Sequence, residues 1–223
     1  MSKWKQRKAK GPVEFWMVEA EHRPKWRKAI YSCLTVLKPK HREVVPPIVV
    51  YPALTESIRD TFDPANQRDT DEWIYSLLRN RSWAHSRLRG RHPSYARICL
   101  VAHAPYYERE KTPPEMSVFH EMAHFILEEV DGVPYDGSDA MEFDVDRIAL
   151  EYLVRMIHVD PFSTSISFAP PHVRFMTWVA ECVAEFKEKM PPATEEKVDE
   201  MCSVMAKAIM ENTKWKMIYK NLP

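Results

Sequence analysis

Residues 112–130 most narrow the folds open to this chain. Thr112-Pro113-Pro114-Glu115 forms a capping box with proline at the first helical position, so a helix is expected to begin there. It should run to about Val130 and stop near Asp131-Gly132. Met116, Val118, Phe119, Met122, Phe125, Ile126 and Leu127 spread over almost its whole circumference. A helix apolar all round has to be surrounded, so the rest of the chain must wrap it on several sides. The same helix carries His120-Glu121-Met122-Ala123-His124. Two imidazoles and a carboxylate are costly to bury without a role. Their i, i+4 spacing puts both rings on one face, one turn apart, where they can bind one Zn²⁺. Glu121 is turned off that axis, where it can serve as a general base toward water.

A catalytic zinc site needs a third protein ligand and one open position. The metzincin arrangement would place a histidine six residues beyond His124, and that position is Val130. The peptide-deformylase arrangement would use an upstream cysteine in a Glu-Gly-Cys-Leu context, whereas Cys99 sits in Arg97-Ile98-Cys99-Leu100. Glu142 is the best-placed candidate. A second helix is expected from Ser138 or Asp139 to about Ile157, and positions 142, 146 and 149 share one of its faces. Glu142 can reach the metal, and Asp146 can accept a hydrogen bond from a ligand histidine and so fix its tautomer. Ala149 would let this helix lie close to the first. Residues 125–141 are enough chain to finish one helix, turn and return. Asp139, Asp144 and Asp146 are the competing ligands.

The remaining elements are expected as follows. Val13–Val18 reads as a strand. A helix opens at Pro24 with one apolar stripe, Trp26, Ala29, Ile30, Cys33, Leu34 and Leu37, and is stopped by Pro39 and Pro46-Pro47. Ile48–Tyr51 is a second strand, and Asp71 caps a short helix through Leu78. Ala96–Ala102 is a further strand. Pro170-Pro171 precedes a helix with Phe175, Trp178, Val179, Cys182, Val183 and Phe186 on one face. Thr194 caps another, with Val198, Cys202, Met205 and Ile209 inward, and these two should pack as a hairpin. The expected class is α+β: a small mixed sheet packed on the motif helix and the glutamate helix, with extra C-terminal helices. Residues 1–12 would be a basic flexible tail, 13–160 the main domain, and 161–223 a helical extension packed on it.

Composition excludes several classes. At 45% hydrophobic and 29% charged residues, the 223-residue chain has the balance of an ordinary globular protein. No apolar run approaches the eighteen or so residues of a membrane span. The basic start MSKWKQRKAK lacks a following apolar stretch, so no secretory signal is expected. Four scattered cysteines without a Cys-x-x-Cys pair fit a reducing, cytoplasmic setting. Four glycines against eighteen prolines leave no phosphate-cradling loop. The net charge of zero conceals a division. Residues 1–112 hold 22 Lys and Arg against 12 Asp and Glu, and residues 113–223 hold 10 against 20. No acidic residue lies between Glu72 and Glu108, where Arg79, Arg81, Arg87, Arg89, Arg91 and Arg97 alternate with Trp83 and Tyr95. Arg87, Arg89 and Arg91 are therefore candidates for contact with nucleic acid or an acidic partner. The alternative is that the two halves of one fold attract each other.

His-Glu-x-x-His followed by Glu-x-x-x-Asp-x-x-Ala on the next helix resembles the gluzincin metallopeptidases. The short gap, the small size and the order helix, strands, motif helix, glutamate helix look most like ImmA/IrrE-type proteins. HtpX-type proteases share the Glu-x-x-x-Asp element but need membrane helices. The resemblance spans roughly residues 24–157, and its specific part is 120–149. It implies a zincin-like fold for 13–160 and a zinc-dependent peptidase acting on a protein partner, such as a helix-turn-helix transcriptional repressor. Carried over by position, His120, His124 and Glu142 are the zinc ligands, Glu121 the base and Asp146 the partner of a ligand histidine. This chain has no helix-turn-helix of its own, and residues 172–218 and the arginine segment have no counterpart in that family.

Three functions are open from sequence. One is a zinc endopeptidase cleaving a regulatory protein. Another is a binding module with a structural zinc, its Arg-rich half (79–97) contacting nucleic acid or an acidic protein. The last is a zinc hydrolase of small amides. Glu121 favours hydrolysis, because a structural site does not require it. Donors to a developing oxyanion could be Tyr135, Tyr152, His158, His172 or Arg174. Ile98–His103 is the expected sheet edge along which a peptide would add as a strand, with the arginines nearby favouring an acidic segment.

Overall fold

Burial of the motif helix organises the computed structural model, which describes residues 13–15, 18, 20–52, 83–85, 97–102, 114–160, 170–189 and 194–211. In chain order the elements are β1 (Val13–Phe15), α1 (Arg23–Val36), α2 (Pro39–Val44), β2 (Ile48–Pro52), β3 (Trp83–His85) and β4 (Arg97–Ala102). Four longer helices follow: α3 (Pro114–Glu129), α4 (Asp139–Val159), α5 (Pro170–Lys189) and α6 (Glu195–Glu211). The described residues are thus mostly helical with one small sheet, an α+β arrangement.

The stripe expected on α1 is the buried one: Trp26, Ala29, Ile30, Cys33 and Leu34 all face the core. Pro39 does more than stop α1. It opens the short α2, since a proline in the first helical turn has no N–H to leave unpaired. The sheet has the order β1-β2-β4-β3. β1 and β4 both run parallel to β2, with Val50 beside Leu100, and β3 runs antiparallel to β4, with Ala84 beside Ile98. The expected substrate edge, Ile98–His103, is covered by β3 at its start, and His103 lies outside the described residues. Over Arg97–Cys99 β4 lies between β2 and β3, whereas Leu100–Ala102 pair with β2 alone, and among the described residues the edges are β1 and β3. Ile48, Val50, Ile98 and Leu100 are fully buried, as strands covered by helices require.

α3 is buried as its composition demands. Met116, Val118, Phe119, Met122, Phe125 and Ile126 are all enclosed, with α1, α4 and the sheet packed round them. Its last turn is closed by Asp131 N–H donating to the Ile126 carbonyl at 3.2 Å and Val133 N–H to that of Leu127 at 2.9 Å. Gly132 supplies the positive φ of 72° that this reversal needs. Asp136 Oδ1 then accepts from Ser138 N–H at 2.8 Å, and Ser138 Oγ accepts from Met141 N–H at 3.2 Å, capping α4. The capping threonine expected for α3, Thr112, and the expected helix 71–78 lie outside the described residues.

α4 is the shared member of the helical layer. It packs against α3 on one side and α6 on another, and α1 and α5 also touch it. α6 buries Met201, Cys202, Met205, Ala206, Ile209 and Met210, and α5 buries Val179 and Val183. The two helices touch one another, with Trp178, Cys182 and Phe186 facing Met205 and Ile209 across a shared cavity, and each also packs on α4. The reason is visible in α4, whose Val145, Leu150, Leu153, Val154 and Ile157 leave several flanks to cover. Polar contacts tie the joint between α4 and α6. Arg155 pairs with Asp199 at 2.7 Å and with Glu195, Lys38 reaches Asp199 at 2.8 Å, and Ser203 donates to Glu151 at 3.0 Å.

Candidate metal centre

The i, i+4 spacing on α3 stacks His120 and His124 edge to face, with ring centroids 5.0 Å apart at 83°. The first turn of α4 brings Glu142 to the same place. Its Oε2 is 3.5 Å from His120 Nε2 and 3.8 Å from His124 Nε2. One donor atom from each of His120, His124 and Glu142 lies within 4.8 Å of the others, so the group could hold a metal ion. One turn along α4, the buried Asp146 carboxylate sits 2.9 Å from His120 Nδ1. That contact keeps a proton on Nδ1 and leaves Nε2 as the atom facing Glu142. Glu121, on the motif helix between the two histidines, is only 6% exposed. Ala149, one turn beyond Asp146, is fully buried, and its lack of bulk lets α4 lie close against α3.

The electrostatics split the two imidazoles. Burial acts to lower the His120 pKa, but the hydrogen bond to Asp146 and the charges of Glu121, Asp146 and Glu142 outweigh it and push it up to about 9. Burial and the adjacent His120 cation drive His124 down to about 3. The pair is thus set to carry a single proton across the neutral range, on the ring held by Asp146.

The other sequence candidates fall as follows. Asp139 and Asp144 are exposed on α4, Asp144 faces Arg147 at 3.4 Å, and neither joins the group. Val130 is a half-buried residue at the end of α3, packed on the core. Tyr152 commits its hydroxyl to His41 Nδ1 and stacks on Phe119, with centroids 5.9 Å apart. It lies ten residues beyond Glu142, about 15 Å along the helix axis. His158 is sixteen residues beyond, about 24 Å. Neither is placed to serve the group. Tyr135 is. Its hydroxyl is 3.4 Å from Glu142 Oε1, and its ring meets His124 at a centroid distance of 5.3 Å and 79°. Tyr135 is one of the five donor candidates in the sequence, and its contact with Glu142 is visible only in the fold. Its signal was the turn sequence Pro134-Tyr135-Asp136-Gly137 immediately before the capping serine. Arg87, Arg89, Arg91 and His103, and the side chains of Cys99, His172 and Arg174, lie outside the described residues.

No helix among the described residues is long and apolar enough to cross a membrane. Comparison of the chain with protein-family models, curated protein sequences and solved structures finds no match.

Proposed function

We propose that the protein is a zinc-dependent endopeptidase of zincin-like fold that hydrolyses a peptide bond in a protein partner, in the manner of the ImmA/IrrE-type gluzincins it resembles. One observation carries this reading: two imidazoles from α3 and a carboxylate from α4 converge, with the buried Glu121 on the same helix turn. The donor set fits the ion. Two neutral nitrogens and one carboxylate oxygen are a ligand set of hydrolytic zinc sites, and the hydrogen bond that His120 Nδ1–H donates to Asp146 fixes the ligating nitrogen of His120.

His120, His124 and Glu142 would hold the zinc ion, which when bound supplies a Lewis acid toward water and a carbonyl oxygen. Glu121 accepts a proton from the attacking water at its carboxylate. As the C–N bond breaks, Glu121 returns that proton to the amine nitrogen. Asp146 keeps His120 in one tautomer throughout. The antiparallel strand β3, an edge of the sheet among the described residues and packed against α3, supports a peptide substrate over a small amide, because an extended chain can add to such an edge. The regulatory nature of the partner rests on the family resemblance.

The test is Glu121→Gln. Zinc-loaded wild-type protein is incubated with a peptide library, cleavage is read by mass spectrometry, and metal content is measured in parallel. The variant should keep its zinc and lose at least about 10²-fold in cleavage rate. Equal cleavage by both proteins, or none by the wild type, overturns the peptidase reading.

A further inference from the structure

The connection between α3 and α4 does more than reverse the chain. It is fixed at both ends, by Gly132 with φ 72° after α3 and by Gly137 with φ 69° before the Ser138 cap. Between these points Tyr135 is folded back over the site. The residue is 55% exposed, so burial does not explain its position. Its ring edge meets one imidazole, that of His124, and its hydroxyl meets the carboxylate of Glu142.

The two oxygens of Glu142 have separate neighbours. Oε2 faces both imidazoles, at 3.5 and 3.8 Å. Oε1 accepts from the Tyr135 hydroxyl at 3.4 Å. A glutamate free to turn could offer both oxygens to one ion and fill the position that a hydrolytic site must leave open. A phenol donating to Oε1 opposes that.

Resting on the zinc reading above, we propose that Tyr135 is a positioning residue of the metal centre: its hydroxyl holds Glu142 to a single ligating oxygen and its ring braces His124, so that one coordination position stays available to water and substrate. Tyr135 does for Glu142 what Asp146 does for His120. Glu142 is thereby held by the α3–α4 connection and His120 by the second turn of α4.

The test uses full-length protein stripped with a chelator and reloaded with Zn²⁺ or Co²⁺. Tyr135→Phe removes only the hydroxyl, and Tyr135→Ala also removes the ring. The Phe variant should bind zinc about 10-fold more weakly, within the range usual for outer partners of metal ligands. Its Co²⁺ absorption should move from the strong visible bands of four-coordinate cobalt toward the weaker bands of higher coordination. Its kcat should fall with KM held, and its unfolding midpoint without metal should match the wild type. The Ala variant should bind more weakly still. A Phe variant with wild-type affinity and wild-type cobalt spectrum overturns the proposal and leaves the zinc reading standing. A wild-type protein that takes up neither metal overturns both. Altered cobalt bands in Tyr135→Phe, in a wild-type protein that cleaves no peptide, support the positioning role while removing the peptidase.

Discussion

Metal binding at this site should be tied to pH through one proton. With His120 raised to about 9 and His124 lowered to about 3, the pair holds one proton at every pH between those values. A divalent ion needs the lone pair of His120 Nε2, so binding must expel that proton. The apparent Kd should then fall about tenfold per pH unit, which is about 1.4 kcal/mol per unit, and about 100-fold from pH 6 to pH 8. The same proton shapes stability when divalent ions are removed. Below the unfolded-state value of about 6.5 the unfolded chain protonates both rings and the native state only one, so stability is lost as pH falls toward 3. Between 6.5 and 9 the native state holds a proton that the unfolded chain has released, so stability is lost as pH rises. The contribution of the pair peaks near pH 6.5 and declines on either side by up to about 1.4 kcal/mol per unit. Zinc affinity is measured by competition with a chromophoric chelator. Proton release is counted by calorimetry in two buffers of different ionisation heat. An affinity that is flat from pH 6 to pH 8, or a count of zero or two protons, would refute the shared-proton account.

Three substitutions probe the frame around the site. Asp146→Ala removes the acceptor at 2.9 Å from His120 Nδ1 and should weaken zinc binding by about 10- to 100-fold in the same chelator assay; wild-type affinity would contradict the tautomer argument. Ala149→Leu forces bulk into a fully buried position and should cost about 1–3 kcal/mol in urea unfolding, with weaker zinc binding as α4 is pushed back. Gly132→Ala adds a methyl group that meets nothing within 4 Å, so only the backbone at φ 72° resists it. The expected loss is about 1–2 kcal/mol in urea unfolding, and an unchanged midpoint would argue against a left-handed turn there.

The metal group was legible because helical spacing is a strong signal. His120 and His124 on one helix, and Glu142 and Asp146 on the next, each lie four apart, and the intervening chain is just long enough to bring the helices together. The α1 stripe was readable for the same reason. Strand order was not. Ile98-Cys99-Leu100-Val101 is a continuous apolar run, which speaks for burial of a strand's two faces and not for its place in the strand order. β3, the edge next to α3 among the described residues, is three residues long and set among arginines in the sequence, too short to show any alternation. Tyr135 escaped notice as a neighbour of Glu142 because a loop residue has no period to be read. Its place is set by two glycine dihedrals and an Asp136–Ser138 turn, which composition alone does not align.

α4 presents Glu142 and Asp146 toward the histidines, while Glu151 and Arg155 on the same helix are held by Ser203, Asp199 and Glu195 of α6. The carboxylate at the metal group is therefore steadied from behind by a segment some fifty residues further along the chain. Truncation after Lys189 would strip the apolar flank of α4 and loosen the grip on the ion without altering any atom that touches it. A search for a minimal metal-binding fragment should accordingly fail if it stops at the two helices that supply the ligands.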